Sequence, residues 1–133
     1  MKRPLIALGL LAALACSRAP KVDAGWSRID AATFTTELAA PRTADAPKQV
    51  IIDVREPDLF AAGHIPGAVN MPWPDAKTTA PSALDKSNDV VLVCHGGPMG
   101  DELAAILVEQ GFGRVRNLAG GMNGWTGPVV AGS

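Results

Sequence analysis

The sequence predicts an α/β domain built on a central, mainly parallel sheet flanked by helices. Three observations carry that prediction. Two short runs, Val50-Ile51-Ile52-Asp53-Val54 and Asp89-Val90-Val91-Leu92-Val93-Cys94, are apolar almost throughout, as strands covered on both faces must be. Segments with helical spacing stand around them, at 31–40 and 101–110. Gly and Pro punctuate most junctions. Strands alternating with helices place the strands side by side and parallel.

The elements follow in order. Ser27-Arg28-Ile29 reads as a short strand, and Asp30 as the N-cap of a helix over 31–40 whose face carries Phe34 and Leu38. Pro41 and Pro47 bracket a polar loop. After the strand at 50–54, Glu56-Pro57-Asp58 opens a short helical piece through Ala62, closed by Gly63. His64-Ile65-Pro66-Gly67 is a turn, and Ala68-Val69-Asn70-Met71 a third short strand. Residues 72–89 are rich in Pro, Ser, Thr, Asp and Lys, which predicts only one helical turn, around Ser82 to Asp85. The strand at 89–94 runs into His95-Gly96-Gly97-Pro98-Met99-Gly100. A helix over 101–110 buries Leu103, Ile106 and Leu107 and stops at Gly111. Val115 to Leu118 is the last strand, and Gly120 to Trp125 a loop entering a final helical turn. No internal repeat is present.

Composition narrows the function. A chain of 133 residues holds one domain of ordinary size, and 47% hydrophobic residues exclude a wholly disordered chain. A formal net charge of -1 gives no electrostatic reason to expect nucleic acid. Two cysteines exclude both a cysteine-stapled scaffold and a four-cysteine zinc site.

The two cysteines belong to different parts of the chain. Lys2 and Arg3 precede 11 apolar residues, Leu5 to Ala15, which end at Cys16. That is the layout of a secretory signal peptide, and it falls short of the roughly 20 residues that span a bilayer. Ala13-Leu14-Ala15-Cys16 resembles a lipobox, with Ala13 where Leu is preferred. The expected organisation is a signal peptide over 1–15, a lipidated Cys16 and polar tether over 16–25, the domain over 26–128, and a tail over 129–133. The chain would then stand at the periplasmic or envelope face, held to a membrane by its N-terminal lipid. An ordinary signal peptide cut nearby, with Cys16 free or disulfide-bonded, is the alternative.

Cys94 ends a buried strand and is followed by a glycine-rich loop and a helix. Sites in parallel sheets form beyond the carboxyl ends of strands. A glycine-rich turn entering a helix aims several N–H groups at one point, which favours an anion such as a thiolate. Pro98 removes one of those donors. On position alone, Cys94 reads equally as an inert core thiol.

Three stretches carry a resemblance. They are Ile52-Asp53-Val54-Arg55-Glu56 with Gly63-His64-Ile65-Pro66-Gly67-Ala68-Val69-Asn70, then Val90 to Cys94 with its loop and helix, then Leu118-Ala119-Gly120-Gly121-Met122-Asn123-Gly124-Trp125. In order and spacing they resemble a single-domain rhodanese, over roughly residues 26 to 128. The resemblance implies a rhodanese-like α/β domain. It also implies a sulfurtransferase or persulfide carrier in which Cys94 accepts a sulfane sulfur as a persulfide and passes it to a thiol or cyanide. Residues 95 to 100 would cradle that sulfur. The implied partners are a small sulfur donor, a thiol or cyanide acceptor and a possible protein thiol; no cofactor is implied. Asp53, Arg55 and His64 fall on positions expected to be structural, a loop-fixing ion pair and a hydrogen-bonded turn.

The loop departs from the family, which commonly carries Arg or Lys there. His95 and Met99 stand at those places, and no Arg or Lys occurs between Cys94 and Arg114. A fixed cation binds an anionic donor and favours a thiolate. Asp101 and Glu102 at the helix start are expected to oppose an anion. Weak thiosulfate turnover, a persulfide donor or a thiol-sensing role follows, as does a binding module that has lost activity. His95 is expected to face solvent, or else to supply a proton-dependent charge.

Other chemistries fit poorly. A cysteine phosphatase needs Cys-x5-Arg, and that position is Gly100. His64, His95 and Cys94 lack metal-ligand spacing. Gly120-Gly121 lacks the Gly-Lys of a phosphate loop. Trp26, Trp73 and Trp125 read as packing residues.

Overall fold

The computed structural model describes residues 25–133. The expected signal peptide, and Cys16 with its tether as far as residue 24, lie outside the described residues. Five strands form one sheet: β1 (Ser27–Ile29), β2 (Gln49–Asp53), β3 (Val69–Asn70), β4 (Asp89–Val93) and β5 (Val115–Leu118). Their order is β1-β5-β4-β2-β3, and every neighbouring pair is parallel. The sheet is therefore wholly parallel, with β4 at its centre.

Period-two alternation along β4 explains its composition. Val90, Leu92 and Cys94 belong to one core cluster, and Val91 and Val93 to the other. The first cluster packs under α3 (Ala76–Ala83) and α4 (Pro98–Glu109), through Ala76, Ala80, Leu103, Ala104 and Leu107. The second packs under α1 (Ala31–Ala39), through Phe34, with Ile51, Ile65 and Leu118. Both faces of β4 are thus covered, which is why the strand needs no polar face. Asp30 caps α1, its Oδ1 accepting the Thr33 N–H at 2.9 Å. Arg116 on β5 ties α1 to the sheet, holding Glu37 at 2.8 Å and Asp89 at 3.0 Å.

Three segments differ from the sequence expectation. Where one turn around 82–85 is expected, α3 spans eight residues and ends before Leu84. Its Thr and Ser hydroxyls are satisfied inside the helix: Thr79 donates to the Asp75 carbonyl at 3.0 Å and Ser82 to the Thr78 carbonyl at 2.9 Å. Burial of Ala76 and Ala80, four apart on one face, then overrides weak propensity. Helix α4 begins at Pro98, three residues before the expected start, because a proline at the first helical position loses no bond and has φ already set. The stretch 129–133 is no loose tail. Val130 and His64 exchange backbone hydrogen bonds at 2.9 Å each way, and the Gly132 N–H donates to the Ala61 carbonyl at 2.9 Å. Ala61 and His64 flank the end of α2 (Pro57–Ala62), so the segment is fastened to the body.

Candidate active site

Cys94 follows β4 directly, at the carboxyl end of the central strand. Its side chain has no exposed surface, and it is a free thiol. Among the described residues, one backbone group addresses it: the Gly97 N–H donates to Sγ at 2.8 Å. Reaching back three residues requires an unusual backbone, and Gly97 has φ +126°, a conformation that L side chains rarely adopt. Gly97 is also the N-cap of α4, and its carbonyl accepts the first helical bond, from Asp101 N at 3.0 Å. Met99 and Gly100 open the helix, so their N–H groups have no partner within it. Pro98 stands where a missing donor costs nothing. The loop thus brings the N-terminus of α4 beside the sulfur, with the Gly97 N–H bonded to it.

The stretch after β5 holds this loop in place. The 3-10 turn η1 (Gly121–Gly124) donates Met122 N–H to the Cys94 carbonyl at 2.8 Å and Asn123 N–H to the His95 carbonyl at 2.9 Å. Gly121, at φ +53°, lies so close that any Cβ there would overlap both carbonyls. Sequence reading missed this role, although paired glycines directly after a strand do signal a close backbone approach.

Asp53 and Arg55 build the neighbouring wall. Arg55 Nη2 meets Asp53 Oδ2 at 2.7 Å, and its backbone N–H donates to Asp53 Oδ1 at 3.0 Å. Nη2 also donates to the Gly63 carbonyl at 2.8 Å, pinning the end of α2. Asn70 completes the corner, its Nδ2 donating to the carbonyls of Asp53 and Arg55 at 2.9 Å each. Because those partners only accept, the amide orientation is fixed. His64 stacks on Phe60 with centroids 3.7 Å apart, and its Nδ1 donates to the Phe60 carbonyl at 2.8 Å.

His95 is part-exposed, as expected, and it also has a partner. Its Nε2 lies 3.1 Å from Glu56 Oε2. Glu56's own backbone N–H and the His95 ring hold that carboxyl below its ordinary range. Asp101 and Glu102 do not oppose an anion as bare charges either. Arg28 binds Asp101 at 2.5 Å, and Lys77 binds Glu102 at 2.6 Å. Among the described residues, Glu56, Asp101 and Glu102 beside the loop each have a charged or ionisable partner, so the two cations nearest the loop, Arg28 and Lys77, already face carboxylates. Gly96 and Pro98 are exposed, while Met99 is half-buried against the core.

Asn117, on β5, enters the site unannounced by sequence. It is fully buried, and its Nδ2 donates to the Gly97 carbonyl and to Asp101 Oδ1, both at 2.8 Å. A Cβ on Gly100 would overlap its carboxamide, which explains that glycine. An amide at the same face of the strand as buried Val115 is the signal that could have found it. A cleft of about 570 Å³, lined by Trp26, Asp89, Arg114 and Arg116, lies at the opposite ends of the strands.

Comparison with known proteins follows the same lines. A model of the rhodanese-like domain matches residues 35–128. A sulfurtransferase of Allochromatium vinosum is 35% identical over 99 residues, covering 72% of this chain and 92% of that protein. The thiosulfate sulfurtransferase PspE of Escherichia coli is 37% identical over 82 residues, covering 61% and 78%. Among solved structures, a protein of Anabaena sp. superposes with a TM-score of 0.68 at 31% identity, covering 78% of this chain and 92% of that one. A rhodanese-like domain protein of Staphylococcus aureus gives 0.64 at 28% identity, covering 80% and 98%.

Proposed function

The chain belongs to the rhodanese-like family, and on that premise we propose that it moves sulfane sulfur through a persulfide on Cys94. The observation that carries the proposal is the Gly97 N–H held 2.8 Å from Cys94 Sγ, in a loop that ends on a helix N-terminus. The thiolate attacks the outer sulfur of the donor. A new S–S bond forms, the donor's S–S bond breaks, and its electron pair leaves as a thiolate or, from thiosulfate, as sulfite. The loop donors stabilise the charge on the resulting persulfide. A thiol or cyanide then attacks the outer sulfur, and the electron pair returns to Cys94.

The paired charges around the loop shape the choice of donor. With the nearby cations of the described residues paired to carboxylates, a dianion such as thiosulfate gains little from the site. A small-molecule or protein persulfide is the better donor. The same pairing supports a second reading, a rhodanese-like binding module of little or no activity. In either reading the chain is exported, with Cys16 as a lipid anchor at the periplasmic or envelope face.

Mass spectrometry of the domain after treatment with glutathione persulfide, and separately with thiosulfate, decides between these readings. Sulfur transfer requires a gain of one sulfur atom, absent in Cys94→Ser and removed by cyanide. No adduct from either donor leaves the binding module.

A further inference from the structure

The Gly97 peptide is held from both sides. Its N–H donates to Cys94 Sγ at 2.8 Å, and its carbonyl accepts from Asn117 Nδ2 at 2.8 Å. The second Nδ2 hydrogen goes to Asp101 Oδ1 at 2.8 Å, and Asp101 is itself bound by Arg28. Both partners of Nδ2 only accept, so the amide cannot be turned over without setting oxygen against oxygen.

The arrangement has a cost in stability. Asn117 Oδ1 is buried with no hydrogen-bond partner among the described residues. An apolar residue on β5 would avoid that loss, as Leu118 and Val115 do. Gly100 is also kept without a side chain so that the amide can approach. A buried, half-satisfied amide is therefore retained where packing alone would favour an aliphatic side chain. What it gains is the orientation of one peptide plane.

We infer that Asn117 is a positioning residue for sulfur transfer, holding the Gly97 peptide so that its N–H points at the Cys94 sulfur. The inference rests on the proposed role of Cys94. Asn117 never touches the donor; it acts through Gly97. Without it, Gly97 is free to rotate about its own flexible φ and ψ, and the bond to sulfur weakens.

Two variants separate shape from donation. Asn117→Asp keeps the outline and loses the donor, and Asn117→Ala loses both. In each, sulfur uptake by Cys94 from glutathione persulfide, followed by mass, should slow about tenfold. The Gly97 amide proton should lose the shift that its bond to sulfur gives it. Leu107→Ala, at the far end of α4, serves as the control: it lowers the melting temperature while leaving the Gly97 resonance in place. Wild-type uptake rates and an unmoved Gly97 resonance in Asn117→Ala would overturn the inference, as would an Asp variant indistinguishable from wild type. If neither variant folds, the wild-type chain still provides the test. Its Asn117 carboxamide protons should exchange slowly and shift on Cys94→Ser, and no shift overturns the inference. A wild-type protein that takes up no sulfur defeats the proposed function instead, and leaves these resonance tests readable.

Discussion

Gly121 packs so tightly on Cys94 that a single added Cβ would overlap the Cys94 carbonyl oxygen. The turn after β5 thus sets the position of the residue after β4. Gly121→Ala should destabilise the domain by about 2–4 kcal/mol, from backbone strain at φ +53° together with the overlap. Urea unfolding checks this. Sulfur uptake should fall further than stability accounts for, because the Cys94 carbonyl loses its bond from Met122 N. Uptake unchanged in the folded fraction would refute the clamp.

Breaking the Asp53–Arg55 pair should be costly. Asp53 has no exposed surface, and Arg55 is its only side-chain ion partner among the described residues. Arg55→Ala leaves that carboxylate buried and unpaired, at about 3–5 kcal/mol. Arg55→Lys should recover only part of this, since one ammonium cannot reach Asp53 and the Gly63 carbonyl with the same fork. Equal urea midpoints for Arg55→Ala and wild type would show the pair to be incidental.

A cation placed in the loop should change donor preference. Met99→Arg is expected to raise kcat/KM for thiosulfate about tenfold relative to glutathione persulfide, because a guanidinium binds the sulfonate end. The gain should shrink with added salt. A donor ratio that does not move would mean that charge at the loop does not govern selection.

Stability should fall in acid, and the sign follows from three carboxyls. Asp30 is held below its ordinary value of 3.8 by the Thr33 backbone and hydroxyl, Asp85 by the Ser87 hydroxyl and backbone, and Glu56 below 4.5 by its own backbone N–H and His95. Each binds protons more readily in the unfolded chain. Their contributions are present above pH 3.8 for the two Asp and above 4.5 for Glu56, and are lost as pH falls through the lower folded values. Asp30→Asn keeps a capping oxygen without a titrating group, so its acid limb should be shallower than wild type by thermal melts. An identical limb would remove Asp30 from this account.

Anchoring is testable apart from chemistry. The full chain expressed in a bacterium should incorporate labelled palmitate, and Cys16→Ser should abolish the label. An unlabelled wild-type protein would mean that Cys16 is not an anchor.

Much of the fold was legible because two-sided burial leaves a compositional mark. The runs at 50–54 and 89–94 could be little else than central strands. Cys94 and its glycines were legible as a motif for the same local reason. Helix α3 was hidden, since its Thr, Ser and Pro are poor helix formers and only contact with α4 makes the segment helical. Asn117 and Gly121 were hidden differently. Each acts on a loop about twenty or more residues earlier in the chain, so no spacing near them reports the contact. The same holds for the His95–Glu56 pair, which joins residues 39 apart.

The complete burial of Cys94 has a consequence for its reactivity towards other sulfur compounds. Mixed-disulfide formation needs three sulfurs in line, and a sulfur with no exposed surface offers no such approach while the loop is closed. The same requirement falls on a sulfur donor, so donors and oxidants alike reach the sulfur only where the loop gives way to them. Inactivation by disulfide reagents of increasing bulk should slow in step with their size.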